Sequence, residues 1–326
     1  MSPVEEIRTR LAWVYPAEIL AIEAKFAVPL YDKYRERGHP MMTGVHPIHE
    51  YDKVGRPNVN NDIYVSLDFK SYDATVPTFV IHEAFLIMSE NICWTHWGGK
   101  NLTEGQQQRW RRVWQAMEYY FINTPILMPD GVKWTKHRGV PSGSFFTQIG
   151  DSVCNSIIIY ACCNYLGLPC WGLRVLGDDS AFATTRAFSL PAVQEFFLFI
   201  SMNVTEKTIP CEARGELKLL GYKLDNHTRA REDPIDWFMF ALYPESCPES
   251  LDVSWSRIVG LMIAGGSYSD EFCQFVGHYQ SGFPVQQEIS LPSGMRRMLK
   301  YAHGIDVPPT FRVGSDLWAK LYTYIK

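Results

Sequence analysis

The feature that most constrains this chain is a pair of adjacent aspartates, Asp178 and Asp179, set between two short apolar runs. Gly172–Leu176 precedes them and Ser180–Ala183 follows, with Gly177 at the junction. Two such runs around a Gly-Asp step predict a β-hairpin with the carboxylates at its tip. Adjacent like charges on a rigid, partly buried tip repel strongly unless a cation neutralises them. A triplet of this kind also arises by chance, so it gains weight only in company.

That company is Ile63–Phe69, a β-type run that carries Asp68 at its end, with Asp73 five residues on. A strand end can hold a carboxylate both rigid and exposed. Taken alone, so common a pattern reads as two solvated or capping aspartates. Asp68, Asp178 and Asp179 on neighbouring strands form a set that could hold two hard cations. Mg²⁺, with Mn²⁺ as an alternative, favours carboxylates completed by phosphate oxygens and water. Two such ions about 4 Å apart serve nucleotidyl transfer or phosphoester hydrolysis.

A third segment is Pro141-Ser142-Gly143-Ser144-Phe145-Phe146-Thr147, followed by Asp151 and Asn155. Gly143 permits unusual dihedrals and close approach of another backbone. Thr147, Asp151 and Asn155 share one helix face by their spacing. That face is either a solvated polar stripe or a hydrogen-bonding surface for a ribose or a template.

Composition supports a folded chain: 326 residues, 46% apolar and 14% aromatic, enough for a sizeable core. The net charge of −4 excludes a globally basic nucleic-acid binder. A local basic stretch remains: Lys100, Arg109, Arg111, Arg112, Lys133, Lys136 and Arg138. It reads either as a solvated helix face or as a channel lining. The eight cysteines form no C-x-x-C, and most sit in apolar runs, which favours free thiols in a reducing compartment. His46, His49 and Glu50 lack a second ligand pair and read as a polar loop. Residues 1–10 are charged with no apolar stretch behind them, and no run of about 18 apolar residues occurs. A soluble protein without a membrane span is the expectation.

Periodicity predicts a helix over Pro16–Leu30, with Ile19, Ile22, Phe26 and Leu30 inward. Loop follows over 35–62. Helices are expected from Pro77 to Ile92, over Glu104–Phe121, over 144–166 and over Leu190–Met202. Lys133–Val140 reads as extended, Leu217–Leu224 as one strand, and the part after Asp233 as mostly helical. The order predicts an α+β fold, an antiparallel sheet packed on helices with a helical C-terminal part.

With these residues in place, the chain resembles the viral RNA-dependent RNA polymerases. LDFKSYD is similar to their motif A, PSGSFFT with Asn155 to motif B, and LRVLGDDSAFA to motif C, in the order A, B, C. RTRLAWVYPAEI, DATVP, FTQIGDSVCN, LKLLGYKL and RIVGLMIAGG resemble further segments of the partitivirus-like group of double-stranded RNA viruses. The resemblance implies a right-hand polymerase palm with partial fingers and a mostly helical thumb. Its implied boundaries are fingers over 1–62, motif A over 63–93, a fingers insertion over 94–140, motifs B to E over 141–232 and thumb over 233–326. Members usually carry a substantial fingers region ahead of the basic motif, whereas few residues precede Arg8 here. The expectation is therefore a fragment, reduced fingers, or a second chain supplying the rest.

The implied roles follow residue by residue. Asp68 and Asp178 are the principal Mg²⁺ ligands, with Asp179 assisting. Asp73 and Asn155 hydrogen-bond the ribose 2′-hydroxyl. Ser142, Gly143 and Thr147 shape the loop near the nascent base pair. Arg8 and Arg10 clamp the triphosphate, and Lys207 donates a proton to pyrophosphate. The implied partners are an RNA template and product, ribonucleoside triphosphates and a capsid, with the host cytoplasm or the virus particle as location. The rival readings are a reverse transcriptase, a non-catalytic or partner-dependent RNA-binding fragment, and a metal-dependent phosphohydrolase. Asp73, where a reverse transcriptase usually carries a bulky aromatic, favours RNA synthesis.

Overall fold

The computed structural model describes residues 14–34, 39–43, 50, 53–56, 62–128, 130–225, 228–231, 235–244, 248–281, 288–293, 295–296, 299–300, 305–312 and 315. Helix α1 (Ala17–Tyr34) buries Glu23, Phe26, Ala27, Leu30 and Tyr34. It runs past Pro29 and past the expected end at Leu30. Ile22, expected inward, lies outside that stripe and is exposed. A 3.6-residue period allows either face, and Glu23 takes the inner one because it meets hydrogen-bond donors there.

Strand β1 (Ile63–Leu67) leads into the short helix α2 (Tyr72–Thr75) and then α3 (Thr78–Glu90), which starts directly after Pro77 as its sequence demands. Helix α4 (Glu104–Ile122) opens on a capping box, with Thr103 and Gln106 each accepting from the other's backbone N–H. Two small hairpins were not expected: β2 (His96–Trp97) with β3 (Lys100–Asn101), and β4 (Pro125–Leu127) with β5 (Lys133–Thr135). The extended stretch expected over 133–140 thus pairs only in its first three residues.

Helix α5 (Thr147–Tyr165) begins three residues later than expected, because 141–146 form a turn. Strands β6 (Trp171–Leu176) and β7 (Asp179–Thr184) form the anticipated hairpin, and α6 (Leu190–Phe199) follows. The strand expected over Leu217–Leu224 is instead two, β8 (Lys218–Leu219) and β9 (Tyr222–Asp225), continued by β10 (Thr228–Arg231). Leu220 and Gly221, at φ 54° and 75°, turn the chain back between them. Two positive φ values make the type I′ geometry that suits a two-residue hairpin. Leucine is not a turn residue, so the local sequence hid the break. Among the described residues, helices α7 (Ile235–Leu242), α8 (Leu251–Ile263) and α9 (Asp270–Ser281) make the C-terminal part mostly helical, joined by the strand pair β11 (Glu288–Ser290) and β12 (Thr310–Arg312).

The central sheet has the order β1-β7-β6 and is antiparallel throughout. Side chains alternate between its two faces, and both faces are buried. Val65, Leu67, Leu173, Val175 and Phe182 join the core formed with α1, α3, α4 and α5. Tyr64, Ala181 and Ala183 join the second core, under α7, α8 and α9. The first core is dense in aromatics: Phe26 lies 5.6–6.2 Å, centre to centre, from Trp94, Trp97, Trp110 and Trp114. The tryptophan supply between 94 and 114 is thus used for packing. Among the described residues no helix is long and apolar enough to cross a membrane.

Candidate active site

The register of the sheet brings the aspartates to one end. Leu67 pairs with Ser180, so Asp68 leaves β1 beside the start of β7 at Asp179. Leu176 pairs with Asp179, which leaves Gly177 and Asp178 as a two-residue turn. Gly177 has φ 64°, a conformation glycine supplies without strain. Asp68, Asp73 and Asp178 are exposed and Asp179 is half-buried. Burial, then the charges of Asp178 and Asp68, push the Asp179 carboxyl up from 3.8 to about 6. The three acids therefore share one electrostatic site.

They do not form a closed cage. Among the described residues no three His, Cys, Asp or Glu side chains gather as a ready metal site. The donor set nevertheless fits a hard divalent cation, because all three groups are carboxylates whose mutual repulsion a cation would relieve.

Helix α5 locks the turn from behind. The Ser152 hydroxyl accepts the Gly177 N–H at 2.8 Å. The Asn155 amide donates to the Gly177 carbonyl at 3.0 Å and to the Asp178 carbonyl at 2.8 Å. Asn155, expected to meet a ribose, is fully buried and spends its N–H groups on the turn. Asp151 is also buried, so the Thr147–Asp151–Asn155 face is not a solvated stripe. The Asp151 carboxyl is pushed well above the usual range, first by burial and then by the charges of Asp73 and Asp178. Its backbone carbonyl accepts the buried Tyr72 hydroxyl at 3.0 Å, which ties α2 to α5. Ser152, Asp151 and Tyr72 had no signal in the sequence beyond membership of a polar helix face and an aromatic beside Asp73.

A second edge supports Asp68. The Asp68 N–H donates to Thr208 Oγ1 at 2.9 Å, and the Thr205 N–H donates to the Asp68 carbonyl at 2.8 Å. The Thr205 hydroxyl also donates to the Asp68 carboxylate. Lys207 lies in this segment, exposed, with its N–H on Thr205 Oγ1 at 3.2 Å. The structure thus brings Lys207 to the flank of Asp68 by backbone pairing.

Ser142 is exposed, Gly143 half-buried, and the Thr147 hydroxyl closes the turn onto the carbonyls of Pro141 and Ser144 at 2.7 and 2.8 Å. Gly143 is not among the positive-φ glycines. A close backbone approach is made at Gly139, φ 77°, where an added Cβ would stand 2.3 Å from the Asp73 carbonyl. Arg8 and Arg10 lie outside the described residues, as do His46 and His49. Glu50 is committed to Arg174 at 2.9 Å and Lys53 at 2.5 Å. Of the basic stretch, Lys136 turns inward and donates to the carbonyls of Phe121, Ile122 and Gly139. The others stay exposed, with the Arg138 guanidinium donating to the carbonyls of Thr75 and Ser201. The seven described cysteines carry free thiols.

The antiparallel sheet β1-β7-β6, with Asp68, Asp178 and Asp179 at one end and Ser152 and Asn155 of α5 holding the turn, belongs to a fold shared with solved viral polymerases. The solved polymerase of a human picorbirnavirus has the same fold, at TM-score 0.63 and 13% identity over 85% of this chain and 52% of that one. The family model described as viral RNA-dependent RNA polymerase matches residues 1–280, and this chain belongs to that family. It is 29% identical over 288 residues to the RNA-directed RNA polymerase of Cryptosporidium parvum virus 1, covering 77% of this chain and 51% of that protein. It is 32% identical over 117 residues to that of White clover cryptic virus 1, covering 34% of this chain and 18% of that protein. The chain spans about half the length of the first of these relatives.

Proposed function

We propose that this chain carries the catalytic palm for RNA-templated RNA synthesis from ribonucleoside triphosphates. The observation that carries the reading is the sheet register, which sets Asp68, Asp178 and Asp179 at one end of β1, β6 and β7. Family membership agrees with it. In the reaction a primer 3′-oxygen bonds to the α-phosphorus, the bond from that phosphorus to the β-phosphate oxygen breaks, and pyrophosphate leaves. Asp68, Asp178 and Asp179 would hold Mg²⁺, which when bound lowers the pKa of the attacking hydroxyl and neutralises charge on the phosphates. Ser152 and Asn155 keep the turn rigid, so that the carboxylates meet the phosphates with little reorganisation. Thr205 orients the Asp68 carboxylate. Lys207, on the same segment, would give a proton to the departing pyrophosphate. Asp73, exposed on α2, would accept from a ribose 2′-hydroxyl, and a site built for that bond rejects a deoxyribose.

RNA, the exposed basic side chains of 100–138 and a host-cytoplasmic or particle setting complete the reading. The test is labelled-ribonucleotide incorporation on an RNA template with Mg²⁺ or Mn²⁺, comparing the chain with Asp178→Asn. Synthesis by the chain and its loss in the variant are expected. No synthesis by either overturns activity of this chain by itself and favours a partner-dependent palm.

A further inference from the structure

We infer that Glu23 is a positioning residue that sets the 141–147 turn from outside the palm, an inference that rests on the polymerase reading above. Glu23 sits on α1, fully buried, among Phe26, Ala27, Leu30 and Tyr34. A buried carboxylate is costly unless hydrogen-bonded. Here one oxygen, Oε2, accepts two bonds, from the Ser144 hydroxyl at 2.8 Å and from the Phe145 N–H at 2.9 Å. Among the described residues no lysine or arginine forms an ion pair with it. Tyr15 and Tyr120, whose rings meet edge to face at 5.5 Å, also face the carboxylate and feel its charge.

The recipients of those bonds explain the role. Ser144 Oγ passes the link on by accepting the Phe146 N–H at 3.0 Å, at the start of α5. The Thr147 hydroxyl ties the same turn internally to Pro141 and Ser144. Helix α5 then carries the register to Ser152 and Asn155, which hold Gly177 and Asp178. One buried acid on α1 therefore anchors the turn that exposes Ser142, through a bond to Ser144, 121 residues away in sequence. Hydrogen bonds to a carboxylate are stronger than neutral ones and directional. They fix where the turn stands as well as adding stability. Glu23 touches neither substrate nor the reacting atoms, so it acts through the turn alone.

The test uses the full chain with Glu23→Ala, Glu23→Gln and Ser144→Ala, each checked for an unchanged melting transition shape. In Glu23→Ala the KM for a ribonucleoside triphosphate rises about tenfold while kcat changes less than about threefold, and the Phe145 amide exchanges at least about tenfold faster, on the scale of a lost charge-assisted bond. Glu23→Gln, whose amide oxygen still accepts both bonds, restores the KM to within about twofold, and Ser144→Ala gives an intermediate value. An unchanged KM in a folded Glu23→Ala chain overturns the inference while leaving the polymerase reading intact. A fall in kcat alone, with no rescue by Gln, also overturns it, since a merely structural role lowers the active fraction. A wild-type chain that makes no RNA overturns activity of this chain by itself instead, and Phe145 exchange unchanged in Glu23→Ala then overturns the positioning.

Discussion

Two hairpin turns in this chain have the same length and opposite support. Between β6 and β7, Gly177 and Asp178 connect Leu176 to its partner Asp179. Between β8 and β9, Leu220 and Gly221 connect Leu219 to its partner Tyr222. In the first, only the leading residue has positive φ; in the second, both do. The second has the backbone twist that matches its strands. The first is gripped by Ser152 and Asn155 from a helix more than twenty residues earlier in the chain. A turn that only reverses the chain can rely on local geometry. A turn that presents repelling carboxylates needs an external frame, because charge repulsion would otherwise open it.

That contrast can be broken at its strongest point first. Asp178→Asn should lower nucleotide incorporation by roughly a hundredfold or more, the scale of removing a central electrostatic group. The fold should survive, since the side chain is exposed. Asn155→Ala removes both amide bonds to the turn and leaves two carbonyls without their donor. A loss of about 2–3 kcal/mol in a denaturant titration is expected. Incorporation should fall with it, more than for any change at Leu220 or Gly221.

Asp179→Asn sharpens the electrostatic half of the comparison. In metal-free buffer the folded Asp179 carboxyl titrates at about 6, against 3.8 for an ordinary aspartate. Below about pH 4 both states are protonated and no penalty exists. Between about pH 4 and 6 the unfolded chain ionises while the folded carboxyl keeps its proton, so wild-type stability falls over that window and levels off above it. Asp179→Asn should lack this fall and be more stable above pH 6 by up to about 2–3 kcal/mol. Denaturation at several pH values with a chelator present checks it, and Mg²⁺ should narrow the difference.

The smallest effects compare the glycines directly. Gly177→Ala and Gly221→Ala each place a Cβ in the left-handed region and should each cost about 1–2 kcal/mol. Nothing lies within 4 Å of a Cβ at Gly177, so its cost is purely conformational. Only Gly177→Ala should also reduce incorporation out of proportion to its stability loss.

Much of the site was legible because it is local. Asp68, Asp178 and Asp179 stand at strand ends or a turn that their own neighbours specify, Asp73 lies in the first turn of the short helix after β1, and the helices after Pro77 and Thr103 announce their starts. Other parts were hidden because their signals are weak or displaced. Leu220 gave no sign of a turn, and the expected strand broke there. The close approach at Gly139 to the Asp73 backbone has no local sign, since nothing in its neighbours marks it apart from other loop glycines. Lys136 reads as one more surface cation until three carbonyls claim it.

The sequence by itself determined the residue types, the period of each element and the turn chemistry, all set by sterics and burial within a few neighbours. Only the tertiary structure decided which polar groups are buried together: Asn155 and Ser152 on the aspartate turn, Thr205 on Asp68, Glu23 on Ser144. Those partners stand 22 to 137 residues apart. Hydrogen bonds of that span depend on how helices dock on a sheet, and no local period or propensity encodes the docking.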